Sequence, residues 1–225
     1  MPSELNKKFA SIRNEAEWVS NYEKMKQDGQ RQFLKYEQEP FIQKFALKHD
    51  EKYIYINFLK HEYRVERTSG KVTWSDDGFV NEKEAGMHEV MTIFDVFCYS
   101  EDGCHPSGEF ANMHSMSAIK GSSAALGNSF FEKEEQFFNK NIDKLAKACE
   151  ILGGVKSGKG DVAYQIPLFE FLSFAISFWE SDEEFPASLQ IFVDKNTLQF
   201  MHYETMWYAV SLMLDRIKEE MGNLN

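Results

Sequence analysis

The 225 residues carry 25 Lys+Arg against 36 Asp+Glu, a net charge of -11, so a phosphate backbone or an anionic lipid surface is repelled on average and neither nucleic-acid nor membrane binding is expected. Twenty Phe, nine Tyr and four Trp supply enough apolar area for a core without staples and exclude general disorder. Cys98, Cys104 and Cys149 lack CxxC spacing and the polar start MPSELNKKFASIRNE has no apolar signal core, so the expectation is a protein of the reducing cytoplasm.

In chain order, Leu5, Phe9, Ile12, Ala16 and Val19 recur at helical spacing over 3–27, with Ser3 as a cap. Gly29 is expected to break this helix before a second segment, Gln30 to Glu37, and Pro40 suits the first turn of a short third helix. From Lys52 the period falls to two: KYIYINFL, HEYRVER and KVTW read as three strands of an antiparallel meander, turning at Ser69-Gly70 and closed by Asp76-Asp77-Gly78. Asn81 and Glu84 have capping-box spacing, which predicts a helix over 81–99 with Met87, Val90, Met91, Phe94, Phe97 and Cys98 on its apolar face.

Residues 100–129 hold no period and are rich in Gly and Ser, a loop of a length that usually serves function. A helix is predicted over 131–152, stopped by Gly153-Gly154. Two or three strands follow over 160–194, the most apolar part of the chain. Its longest apolar run, 166–179, contains Glu170 and is too short to cross a bilayer. A final helix, 203–221, is expected to bury Tyr203, Met206, Trp207, Val210, Met213, Leu214 and Ile217. The sum is an α+β domain: an antiparallel sheet, the N-terminal meander plus the C-terminal strands, packed with about five helices. Residues 1–51 form an N-terminal helical segment and 52–225 the core, together one compact unit.

Four stretches could carry chemistry. GGVKSGK at 153–159 matches G-x-x-x-x-G-K, but Gly160 stands where Ser or Thr should hold the metal ion. A helix precedes it and a strand follows, the reverse of a phosphate loop, so it reads as a helix stop and a flexible turn. Cys98, Cys104, His105 and His114 lie close in sequence with thiolate and imidazole chemistry, flanked by Met113 and Met116. Their spacing fits no zinc module, and they read as core and loop residues. WESDEEFP places Glu180, Asp182, Glu183 and Glu184 within five residues beside Trp179 and Phe185. It is either a solvated turn, a carboxylate site for a hard cation, or an acid whose pKa the aromatics raise. Ser107-Gly108-Glu109-Phe110 is the fourth, with Gly108 suited to a positive φ.

At 179–194 the sequence resembles the prokaryotic family of domain of unknown function 3786. The likeness rests on Ile166-Pro167-Leu168, Trp179, Asp182-Glu183-Glu184-Phe185-Pro186 and Phe192-Val193-Asp194. Ser107-Gly108-Glu109 is similar to that family's Ser-Gly-Glu-Trp step, and Phe58-Leu59 through Val65 to its N-terminal hairpin. The resemblance covers about 52–215. It implies a cytoplasmic domain common in anaerobes, without an assigned reaction. Some relatives are joined to a four-cysteine iron–sulfur module similar to that of corrinoid proteins, a module this chain does not have.

The leading expectation is a non-catalytic protein that binds a small ligand or cofactor, of unknown identity, serving corrinoid or one-carbon metabolism. Its ligand-binding residues would be Trp179, Asp182, Glu183, Glu184 and Phe185 of the acidic turn with Ser107, Gly108 and Glu109. No residue is assigned a catalytic or metal-binding role. The alternatives are an enzyme using Glu183 or Glu184 as acid/base with Glu109 or His105 nearby, which demands that these groups converge, and a protein-interaction module whose acidic turn meets a basic partner. Oligomeric state is open.

Overall fold

A computed structural model describes residues 21–116 and 130–224. Helix α1 covers 21–33 and runs through Gly29 without a break. The glycine serves packing instead: a Cβ there would sit 3.1 Å from Met91 Sδ and 3.4 Å from the Phe94 ring. The expected helix start at Ser3 lies outside the described residues. Helix α2, Gln38–Lys44, places Pro40 in its first turn. Phe33 and Phe41, both buried, stack on Phe94 and Phe97 at 4.8 and 4.7 Å. Each fully buried ring contributes about 2–3 kcal/mol of transfer free energy.

The meander has four strands rather than three: β1 Tyr53–Phe58, β2 His61–Glu66, β3 Val72–Ser75 and β4 Lys83–Glu84, in that order and antiparallel. Strand β4 occupies residues expected to open a helix. Asn81 is not a helix cap, because the Asp77 carboxylate captures both its backbone N–H (3.0 Å) and its side-chain amide (2.8 Å). Glu84 pairs across β4 and accepts a hydrogen bond from Lys26 at 2.6 Å. Helix α3 therefore starts later, at Met87–Tyr99, with Gly86 as N-cap and its N–H donated to Glu89 Oε2 at 2.5 Å.

The predicted helix over 131–152 is two, α4 Glu132–Phe138 and α5 Ile142–Ile151. Lys140, at φ 63, turns the chain between them. A second antiparallel sheet has the order β5-β9-β8-β7-β6, with β5 Phe110–Asn112, β6 Val155–Lys156, β7 Val162–Phe169, β8 Leu172–Trp179 and β9 Ser188–Asp194. Its three long strands are the expected ones. The sequence marks neither edge strand: β5 lies within the aperiodic stretch 100–129 and β6 inside GGVKSGK. Helix α6, Thr197–Phe200, leads into α7, Tyr203–Asn223.

The α+β class stands, with seven α-helices among the described residues and the strands divided between two sheets. The sheets meet at a backbone bond from Leu59 N to Leu168 O, 2.8 Å. One face of the second sheet presents Tyr164, Ile166, Phe174, Ile176, Phe178, Ile191 and Val193, all buried, in one core continuous with the first sheet and the helices. Phe178 meets Phe138 of α4 edge-on at 5.9 Å, and Tyr164 donates to Glu150 of α5 at 3.1 Å. Alternation sends Ala163, Ala175, Ser177, Trp179, Gln190 and Phe192 to the opposite face. No described helix is long and apolar enough to cross a membrane.

Candidate functional site

The outer face of the second sheet carries a groove of two adjoining lobes. The first, 430 Å³, is floored by Ala175, Ser177 and Phe192 and walled by Phe110 on one side and Ser157, Gly158 and Lys159 on the other. The second, 560 Å³, is bounded by Asp161, Glu180, Asp182, Phe185, Pro186 and Ser188. Trp179 and Gln190 line both lobes.

Two glycines lay the wall of the first lobe across the sheet. Gly160, at φ 134, approaches so closely that a Cβ would meet Phe178 O at 2.7 Å. Gly158, at φ 99, sits where a Cβ would be 3.4 Å from Ser177 Oγ and 3.7 Å from Ala163 Cβ. Only glycine holds both conformations without strain. GGVKSGK thus does what its order suggests: Gly153 ends α5, β6 follows, and no helix begins after it. Its Ser157-Gly158-Lys159 step, however, is a wall of the groove, and nothing in its phosphate-loop likeness announced that.

The acidic turn is built from the inside. Asp182 Oδ1 accepts the backbone N–H of Glu184 at 2.8 Å and of Phe185 at 2.7 Å, and Asp182 N donates to Phe185 O at 3.0 Å. The amide of Phe185, then that of Glu184, holds the Asp182 carboxyl below its ordinary range. Asp161 Oδ2 accepts from Glu180 N at 2.7 Å. Asn139, in the α4–α5 connection, accepts from Ser181 N at 3.1 Å and donates to Ser181 Oγ at 3.0 Å, while Lys140 Nζ reaches Ser181 O at 3.1 Å. Of the expected binding residues, Trp179, Asp182 and Phe185 line the groove. Glu183 and Glu184 are exposed and do not line it. Phe185 is 66% exposed at the rim.

Ser107, Gly108 and Glu109 lie elsewhere. Asp194, 2% exposed, accepts from Ser107 N (2.9 Å), Ser107 Oγ (3.0 Å), Gly108 N (2.8 Å) and Asn196 N (2.8 Å). Glu109 pairs with Lys195 at 2.5 Å. This lock holds β5 against the end of β9, since Phe110 is registered on Asp194, and so sets the Phe110 wall. It ties together two motifs of the family resemblance, Ser107-Gly108 and Asp194. The acidic turn lies at the other end of β9, so roughly 20 Å of extended chain separates it from Glu109.

The cysteine–histidine group does not assemble. Burial pushes the Cys98 and Cys149 thiols up to about 12 and raises Cys104, so all three hold their protons at neutral pH. His105 is exposed with Nδ1 3.0 Å from Gly103 O. His114 lies among Phe130, Phe131 and Trp207 at 5.2, 6.3 and 5.6 Å, and burial lowers its pKa. Met113 is core. Among the described residues, no three His, Cys, Asp or Glu side chains are gathered to hold a metal ion.

Sequence reasoning did not single out Ser177 or Gln190, and it named Phe110, Lys159 and Phe192 without assigning them to a ligand site. Strand alternation would have put Ser177, Trp179, Gln190 and Phe192 on one face, but only with the pairing of β8 and β9 known. A family model, domain of unknown function (DUF3786), matches residues 39–216. No curated protein and no solved structure matches.

Proposed function

The chain belongs to the DUF3786 family of domains of unknown function, and from that premise we propose that it is a non-catalytic protein binding a small ligand or cofactor in the groove across the second sheet. One observation carries this reading: Trp179, on the outer face at the end of β8, is shared by two lobes of 430 and 560 Å³. That size and a mix of aromatic walls with a few polar groups are what small-molecule sites use. The site stands on a sheet, and two of its bordering segments are tethered, the acidic turn by Asn139 and the stretch before Phe110 by Asp194.

A reducing cytoplasm fits three cysteines of which none is paired. A corrinoid or one-carbon cofactor is the ligand class to try first. The acid/base alternative needs Glu109 or His105 beside Glu183 or Glu184, and Glu109 stands at the far end of β9 from the turn. The geometry gives that pairing no support.

The test is native mass spectrometry of the full chain purified without oxygen, together with thermal melts against cobalamin, haem and folates. A mass above that of the polypeptide, or a raised midpoint, is expected for the wild type and should vanish in Trp179→Ala. No added mass and no shift with any of the three would overturn the proposal.

A further inference from the structure

Resting on the groove reading above, we infer that the occupant is a flat nitrogen heterocycle bearing an anionic group, with its ring on Trp179, its N–H edge in the acidic lobe and its anion at Lys159 and Ser177. Five observations converge. Ser177 is 4% exposed and lines the first lobe; its hydroxyl is not among the fully buried unpaired atoms and opens to the groove, unclaimed by any described group. A hydroxyl open to the groove and not engaged by the protein is free to donate to an acceptor entering there. Lys159 stands at the same lobe and makes no ion pair among the described residues, in a chain with eleven more acids than bases. An ammonium beside an unpaired hydroxyl is the donor set for a carboxylate or a similar anion.

The second lobe has the opposite polarity. Asp161 and Asp182 each use one oxygen on backbone amides and keep the other as an acceptor. Carboxylates there repel an anion and accept from N–H donors, so the two lobes orient a ligand of mixed polarity. Between them the Gln190 amide, also without a partner among the described residues, presents a donor and an acceptor side by side, the pattern that reads a heterocycle edge. The Trp179 indole offers a flat face for ring stacking. From Ala175 to Trp179 the strand advances roughly 13 Å, long enough for a fused bicyclic ring and a short acidic substituent. A simple anion leaves the acidic lobe repelled and the indole bare, and a purely apolar ring leaves Ser177 and Lys159 unmatched.

Calorimetric titration of the full chain with 6-carboxypterin, pterin and benzoate tests the class. 6-Carboxypterin should bind at least fivefold more tightly than pterin, and Lys159→Gln should shrink that ratio below twofold. Ser177→Ala should cut 6-carboxypterin affinity about threefold, and Gln190→Leu should weaken both pterins while leaving benzoate unchanged. Unchanged urea midpoints establish that the variants fold. Equal binding of the two pterins, or a ratio untouched in Lys159→Gln, overturns the inference. So does the absence of any pterin binding while cobalamin or haem still binds in a Trp179-dependent way, an outcome that leaves the groove reading standing. If no ligand of any class responds to Trp179→Ala, the groove reading itself falls.

Discussion

Asp77 shows how much a single short side chain organises. Its carboxylate accepts from the Asn81 backbone and amide and from the Ser75 hydroxyl. These bonds, the Asn81 backbone N–H first, bring its pKa down to about 2 from the ordinary 3.8. A depressed native pKa means that the native state favours the ionised form. The stabilisation is complete above about 3.8 and is lost as pH falls through about 2. Asp77→Asn, nearly isosteric, should therefore flatten the acid limb of stability between about pH 4 and 2 while leaving the slope between about pH 6 and 8 unchanged. Urea midpoints across that range decide it, and a steep acid limb retained by the variant would remove Asp77 as its source. At this scale the sequence was misleading, since Asn81 and Glu84 have the spacing of a helix start. Spacing carries no information on whether a nearby aspartate has already taken the donor, and here Asp77 had.

Among the elements, the α4–α5 connection does the most for the groove. Asn139 bonds the backbone and hydroxyl of Ser181, so a break in a helix is what fixes the acidic turn. Asn139→Ala leaves Ser181 N without its partner and should cost about 1–3 kcal/mol in urea unfolding. It should also weaken any ligand that depends on Trp179. A conservative Ser181→Ala control retains the backbone bond and should cost less. Equal stability of Asn139→Ala and wild type would show that the turn holds itself, through Asp182 alone. Helical periodicity over 131–152 was legible because Phe138, Leu145, Cys149 and Leu152 all face the core. The interruption was not, because two short helices packed end to end on one core keep a common apolar side. Lys140 at positive φ carries no signal of its own, unlike a glycine. The acidic turn was legible as a turn, from Pro186 and its carboxylates. That Asn139 holds it and that its Trp179 faces a groove depend on contacts between distant segments.

For the molecule as a whole, the two sheets and the helices share one buried cluster. Phe33 and Phe41 come from the N-terminal segment, and both are stacked on α3. The chain should unfold in one calorimetric transition, with Phe33→Ala costing about 3–5 kcal/mol and moving that transition without splitting it. Two resolved transitions would separate residues 1–51 from the core. Fold class was readable from composition and the change of period at Lys52, which are local properties. The division into two sheets, and both edge strands of the second, rest on contacts between distant segments, and no local pattern encodes them. The lock on Asp194 is one of these, with Ser107 and its acceptor 87 positions apart. A ribosome adding about 5–20 residues per second takes roughly 4 to 17 s to make that interval. Throughout it, Phe110–Asn112 has no strand to pair with. The groove is consequently among the last features a nascent chain completes, and its Phe110 wall cannot close until the segment carrying Trp179 has been made.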